Sequence, residues 1–408
     1  MDLLDLVRDH QSTGRALLFR LMGATDPEVS GDGSWVTTGS GARYLDLGSF
    51  SVFLLGHGRA EVVEAVTRQS TRLSGATRTL PNAENARAAA DLATSAPSGL
   101  DKVMLLNSGA EAVEAAIKLA RARTGRVPLA HLAGSFHGKT VGALSLTDAT
   151  LFRDGLGPLL PEVVRLPRDD AHGAAEMIRR HRPAAVFAEP VQGEGGVHPL
   201  APEYGAALRE ACSEAGSLLV FDEIQCGLGR CGSFWAHDDL GVRPDVLLSG
   251  KALGGGVIPV SALIATEDAF QPYDRDPLLH TSTFGGNPLA AAALTATLKV
   301  LAAEDVPGLA RTAGARLEEI LADLVSTWPR LFVKVTGRGA LLGLHGTQPD
   351  VAGEMMRAAL AEGLLLTPCL TAPSILRFTP SAFIGAQELA FVAAKLHAAA
   401  RRTQRELD

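Results

Sequence analysis

The 408 residues are 46% hydrophobic and 20% charged, with a formal net charge of −7. That is the composition of a globular chain long enough for one large domain and a smaller one. The mild acidity speaks against nucleic acid or an anionic membrane as partner, since both require basic clusters. No apolar run reaches the roughly 18 to 20 residues of a membrane span. The start Met1-Asp2-Leu3-Leu4-Asp5 lacks the basic and apolar regions of a secretory signal. Cys212, Cys226, Cys231 and Cys369 show no paired CxxC spacing, so no metal site and a reducing, cytoplasmic setting are expected.

In chain order, Leu3, Leu4, Leu6 and Val7 open a helix, and residues 35–38 and 43–47 read as a hairpin turned at Gly39-Ser40-Gly41. From about 100 to 300, short apolar runs (103–106, 184–188, 218–221, 246–248) alternate with amphipathic stretches such as 111–123 and 203–215. Uninterrupted Val and Leu runs between helices read as strands of a parallel sheet buried on both faces. The rhythm predicts an α/β fold with right-handed crossovers and a mostly parallel central sheet sandwiched by helices. Beyond 300, long helices over 300–326, 350–362 and 386–405 surround strand candidates at 332–336, 340–345 and 375–379. Residues 1–50 and 301–408 are therefore read as the two parts of one smaller α+β domain, with a large domain over 51–300.

Two strand ends carry the chemistry. Ser217-Leu218-Leu219-Val220-Phe221 ends on Asp222, and Val246-Leu247-Leu248-Ser249-Gly250 leads to Lys251, with Gly254-Gly255-Gly256 beyond it. Ligands of open α/β sheets bind outside the carboxyl ends of parallel strands, so both side chains are expected in one crevice. A lysine and a carboxylate so placed suit a Schiff-base lysine and the partner of a pyridinium nitrogen. Taken alone, they suit a buried ion pair equally well.

Other segments add to the same crevice. Ser108-Gly109-Ala110-Glu111 follows a strand and opens a helix, with Ser108 and Glu111 spaced as a capping box. Such a start is a phosphate site as well as a well-capped helix. Glu189 and Glu194 follow the run 184–188, Gln225 lies three residues past Asp222, and Phe136-His137-Gly138-Lys139 groups an aromatic, an imidazole and a cation. Thr281-Ser282-Thr283-Phe284-Gly285-Gly286 is a hydroxyl- and glycine-rich loop before an Ala-rich helix.

In this order the segments resemble the class III, fold type I, pyridoxal-phosphate aminotransferases, the group of ornithine, acetylornithine, 4-aminobutyrate and putrescine aminotransferases. The resemblance runs from Tyr44-Leu45-Asp46 to Arg377-Phe378-Thr379-Pro380 and is most specific between Leu219 and Gly256. It implies pyridoxal 5′-phosphate carried on Lys251, which then moves the substrate proton. It also implies a ring nitrogen kept protonated by Asp222, Phe136 on the ring face and Gln225 on the phenolic oxygen. Ser108, Gly109 and Ala110 would bind the phosphate, and Thr283 would reach the phosphate of a second copy, making the chain a homodimer. His137 is expected to support the site from behind, and Glu189 to support the region around Gln225.

For substrates, the resemblance implies that Glu194 pairs with Arg377 and swings away when Arg377 grips a carboxylate, a task suited to its planar fork. A keto acid such as 2-oxoglutarate or pyruvate is the expected acceptor. Lys139 stands where relatives that bind an amino-acid carboxylate carry arginine, and lysine lacks the fork. Phe50 and Phe53 stand near a tyrosine of ornithine-type enzymes, making that wall more apolar. These departures favour transfer of a terminal (ω) amino group from a primary amine, diamine or ω-amino acid. An ornithine or acetylornithine donor, or an aminomutase or decarboxylase on the same scaffold, are the alternatives. Cys226 and Cys231 replace the usual threonines and are given no chemistry.

Overall fold

Seven strands form the central sheet of the computed structural model, which describes residues 2–408. Across the sheet they run Lys102–Leu106, Ser261–Ala265, Val246–Ser249, Leu218–Asp222, Ala185–Ala188, Leu129–Leu132 and Val163–Leu166. Six point the same way, and Ser261–Ala265 is antiparallel to both of its neighbours. Three of the seven were not read from the sequence. Leu129–Leu132 holds a histidine and Val163–Leu166 an arginine, which break the apolar run. Ser261–Ala265 is apolar, but it lies so close after the Lys251 loop that no crossover helix separates them, and this allows its reversed direction.

The strands Ala185–Ala188, Leu218–Asp222 and Val246–Ser249 are buried at every residue, as uninterrupted apolar runs require. Helices close both faces. Gly109–Thr124 begins with Ser108 as N-cap and stops at Gly125, whose φ of 69° few other residues adopt readily. Pro202–Ala215 carries proline in its first turn, where a missing N–H costs nothing.

The single helix expected over 300–326 is two helices, Pro288–Ala303 and Val306–Thr327. Asp305 breaks them: it takes a left-handed φ of 42°, and its carboxylate accepts the Gly308 N–H at 3.2 Å. Aspartate tolerates that backbone better than most side chains, and Pro307 then starts the next helix. The second helix puts Val306 and Ala310 in the core beneath the large sheet, and Leu317, Leu321 and Leu324 in another core.

That other core gathers both ends of the chain. Leu45 and Leu47 pack there with Phe332, Leu344, Leu376 and Leu396. The hairpin Trp35–Thr38 and Arg43–Asp46 forms as expected, and Leu364–Leu365 adds to it in parallel, pairing Leu364 with Leu45. Phe332–Arg338, Leu341–Gly346, Ile375–Phe378 and Thr367–Pro368 form an antiparallel sheet beside it.

Candidate active site

The parallel register sets Asp222 opposite Leu248, so Asp222 and Lys251 emerge from the same edge of the sheet. Lys251 opens the turn Lys251–Gly254 with φ at 44°, a left-handed conformation rare for residues with a side chain. Such strain persists only where the surroundings fix it, typically at functional sites. Both residues line a cavity of about 180 Å³ with Gly109, Ala110, Phe136, His137, Gly138, Glu189, Glu194, Ile224 and Gln225. A neighbouring cavity of about 360 Å³ shares Lys251 and Gly109 with it and adds Val52, Asn107, Ser108 and residues 256–260.

The helix start at Gly109 is built to receive an anion. Ser108 Oγ accepts the Glu111 N–H at 3.3 Å, and the Gly109 and Ala110 N–H groups have no intrahelical acceptor. The expected capping box is only half made. Glu111 Oε2 accepts from Asn107 N at 2.8 Å and Asn107 Nδ2 at 2.9 Å, not from Ser108. That carboxylate therefore fixes the loop one residue earlier and ties it, through Asn107 Nδ2 to Ser282 Oγ at 2.7 Å, to the Thr283 loop. Ser261, on the antiparallel strand, donates to Ser108 O at 2.7 Å. It positions the helix start from a strand missed in the sequence, although Ser-Ala-Leu-Ile-Ala was legible as an apolar run. At Gly109 a Cβ would lie 2.9 Å from Ile224 Cδ1, so glycine is what the packing accommodates.

Asp222 lines the cavity with both carboxylate oxygens engaged. Its Oδ1 accepts from Ile224 N at 3.1 Å, and its Oδ2 lies 2.7 Å from His137 Nδ1. Burial alone would push the His137 imidazole toward the neutral form, but the Asp222 hydrogen bond and charge outweigh it and raise its pKa. His137 thus backs Asp222 rather than lining the site as mere packing. Glu189, expected to support Gln225, instead accepts from Phe136 N at 2.9 Å and from Gly193 N at 3.2 Å. It holds the aromatic in place and reaches Gln225 only indirectly, because a Cβ on Gly193 would lie on Gln225 Oε1. Burial pushes the Glu189 carboxyl up to about 7.

Glu194 and Arg377 form a buried ion pair, 3% and 0% exposed. Glu194 also accepts from Gln225 Nε2 at 3.2 Å and Leu370 N at 2.9 Å, and Arg377 Nη2 reaches Thr367 Oγ1 at 3.4 Å. Burial would raise the Glu194 pKa, but Arg377 and Lys251 pull it below the carboxylate norm. Burial lowers the Lys251 pKa, against the opposing pull of Glu194. An amine whose protonated form burial disfavours is a better nucleophile and base than a solvated lysine.

Four expected site residues line neither cavity: Arg377, which reaches the site through its ion pair with Glu194, and Lys139, Thr283 and Phe50. Lys139 is exposed, with its amine over the Phe152 ring at 3.9 Å. Thr283 is exposed beside Phe284, which is 68% exposed. Phe50 is half exposed, and its ring lies 5.7 Å from the Arg377 guanidinium.

Residues 27–400 match the family described as aminotransferase class-III. An acetylornithine aminotransferase of Rhodobacter capsulatus is 38% identical over 91% of this chain and 94% of its own length. The structure is similar to ornithine aminotransferase from Toxoplasma gondii, with a TM-score of 0.87 and 31% identity over 94% of this chain and 91% of that one. It is also similar to an (S)-enantioselective omega-transaminase from Thermomicrobium roseum, with a TM-score of 0.90 and 26% identity over 98% and 97% of the two chains. The chain belongs to the class III aminotransferases. Its cofactor is pyridoxal phosphate, and the residues present fit it: open N–H groups at a helix start, the buried carboxylate side chain of Asp222, Phe136, and Lys251 on one cavity.

Proposed function

We propose that this class III aminotransferase moves a terminal amino group from a primary amine, diamine or ω-amino acid to a keto acid such as 2-oxoglutarate or pyruvate. The observation that carries the reading is the buried Glu194–Arg377 pair beside Lys251. A transaminase must accept two different substrates in one pocket. A guanidinium neutralised by a movable carboxylate serves both, closed for an uncharged chain and open for a carboxylate.

Bound there, pyridoxal phosphate supplies an aldehyde that takes the amino group covalently and a cationic ring that draws electrons from the substrate carbon. The N–H groups of Gly109 and Ala110, with Ser108, would hold its phosphate. Asp222, anchored by His137 and Ile224 N, would face the ring nitrogen and favour its protonated form. Phe136 would pack on the ring face and Gln225 would hydrogen-bond the phenolic oxygen. Lys251, whose protonation burial disfavours, would carry the cofactor covalently and would move the proton to and from the substrate carbon.

On the donor side, Lys139 offers no fork to a carboxylate, and its amine is engaged by Phe152 away from the cavity. This supports a donor with no carboxylate at that position. The second reading is acetylornithine, favoured by the 38% identity to the Rhodobacter enzyme. The enzyme is read as a homodimer in which Thr283 reaches the second copy's phosphate. Exposure of Thr283 and Phe284, on a loop tied to the phosphate site through Asn107 and Ser282, supports that reading.

The test adds a panel of amines to purified holoenzyme and follows loss of the visible colour of the lysine-bound cofactor. Putrescine and other primary amines should discharge it. Discharge by acetylornithine or ornithine alone establishes the second reading, and product formed without any keto acid points to mutase or decarboxylase chemistry.

A further inference from the structure

Behind Arg377 lies a turn that sequence reasoning did not reach. Ser49, Phe50 and Ser51 take φ values of 42°, 52° and 69°, three consecutive residues with side chains in the left-handed region. That region favours glycine, and such a run persists only when its surroundings over-determine it. The surroundings here are specific. Gly48 N donates to Asp46 Oδ1 at 3.0 Å, Thr379 Oγ1 donates to Gly48 O, and Ser51 Oγ donates to Gln225 O at 3.4 Å. Ser51 O accepts from Arg230 Nη2 at 3.5 Å.

Arg230 is itself unusual, because it is 1% exposed and its guanidinium is met only by carbonyls. Besides Ser51 O these are Ala340 O at 3.1 Å and Pro380 O. Among the described residues no carboxylate forms an ion pair with it. A buried cation without a counter-ion is costly, so its retention calls for a role. The three carbonyls belong to the strained turn, to the connection before Leu341, and to the segment after the Arg377 strand.

We infer that Arg230 is a positioning residue that fastens the Ser49–Ser51 turn, so that Phe50 roofs Arg377 and sets how firmly Arg377 grips the acceptor's carboxylate. This rests on the proposed carboxylate-binding role of Arg377. Ser51 and Arg377 are buried while Phe50 is half exposed, with the Arg377 guanidinium over its ring at 5.7 Å, so Phe50 is the solvent-facing residue next to that charge. A fixed roof keeps water away, and a charge pair gains strength as water is excluded. A loosened roof admits water and weakens the grip without touching Lys251 or Asp222.

The test loads the apoenzyme with pyridoxamine phosphate and compares single-turnover kcat/KM for 2-oxoglutarate with that for butanal, which has no carboxylate. Arg230→Lys shortens the clamp, and Ser51→Gly relaxes the turn should the first variant fail to fold. In either variant the value for 2-oxoglutarate should fall about tenfold or more, the size expected when a substrate-orienting group is slightly misplaced. The value for butanal should hold within about twofold on the same grounds. Values that fall together, or that both stay unchanged in folded variants, make Arg230 a structural staple only and overturn the inference. Arg377→Ala serves as the separate control. If it leaves the 2-oxoglutarate to butanal ratio unchanged, the carboxylate role of Arg377 is wrong, and this inference falls with it.

Discussion

Glu194→Gln removes one charge of the pair closest to the chemistry while keeping its shape. Both partners are almost fully buried, so little of the effect is lost to solvent screening. Removing one partner of a buried ion pair costs roughly 3–5 kcal/mol, because a charge is left uncompensated. The single amide oxygen can replace Oε1 toward Arg377 or Oε2 toward Leu370 N, but not both, so a loss of about 3–5 kcal/mol is expected. The same uncompensated Arg377 should bind a carboxylate more readily, since Glu194 no longer competes. Chemical denaturation of the apo-protein with and without 2-oxoglutarate measures both effects. The variant should be less stable alone and recover more stability than the wild type at equal ligand, where saturation at 100 times Kd is worth about 2.7 kcal/mol. Lys251 supplies a second readout. Burial lowers its pKa and Glu194 opposes that shift, so the pH profile for covalent uptake of pyridoxal phosphate by the apo-variant should move to lower pH. A stability loss below about 1 kcal/mol, the scale of a surface pair, together with unchanged keto-acid affinity, would refute the two-state pair.

Other variants probe other parts of the site. Lys251→Ala should abolish transamination and the visible colour of the covalent linkage while the fold and phosphate binding persist; measurable turnover would exclude the assigned role. His137→Leu strips Asp222 of a charged hydrogen bond worth about 1.5–3 kcal/mol, so cofactor affinity and rate should drop while circular dichroism stays native. Glu189 is raised to about 7 from an ordinary 4.5, so its share of stability is complete below pH 4.5 and is lost as pH rises through 7. Glu189→Gln should therefore flatten the fall in apo-protein stability across that window; an unaltered pH slope would contradict the assignment.

Much of the site was legible because it is local. Asp222 and Lys251 end apolar runs, and strand direction alone carries them to one edge; Gly109 and Ala110 start a helix, whose first N–H groups are free in any context. Glu194 and Gln225 follow strand ends, Arg377 and its pairing with Glu194 come from the resemblance, and folding joins the three in one buried network. What eluded sequence reasoning is non-local. A supporting place was expected of both His137 and Glu189, but their partners, Asp222 and Phe136 N, are fixed only once neighbouring strands align their ends. The left-handed backbone at Ser49–Ser51 carries no glycine to announce it, and at Asp305 a single aspartate split what read as one helix.

By itself, then, the sequence determined the α/β class and the placement of Lys251, Asp222 and the helix start at Gly109 on one crevice, because periodicity and strand ends are encoded within a few residues. Tertiary structure alone decided the reversed strand behind Ser108, the placement of Lys139 over Phe152, and the fastening of Phe50 above Arg377. Burial and charge pairing depend on which distant segments meet, and no short stretch of sequence records that.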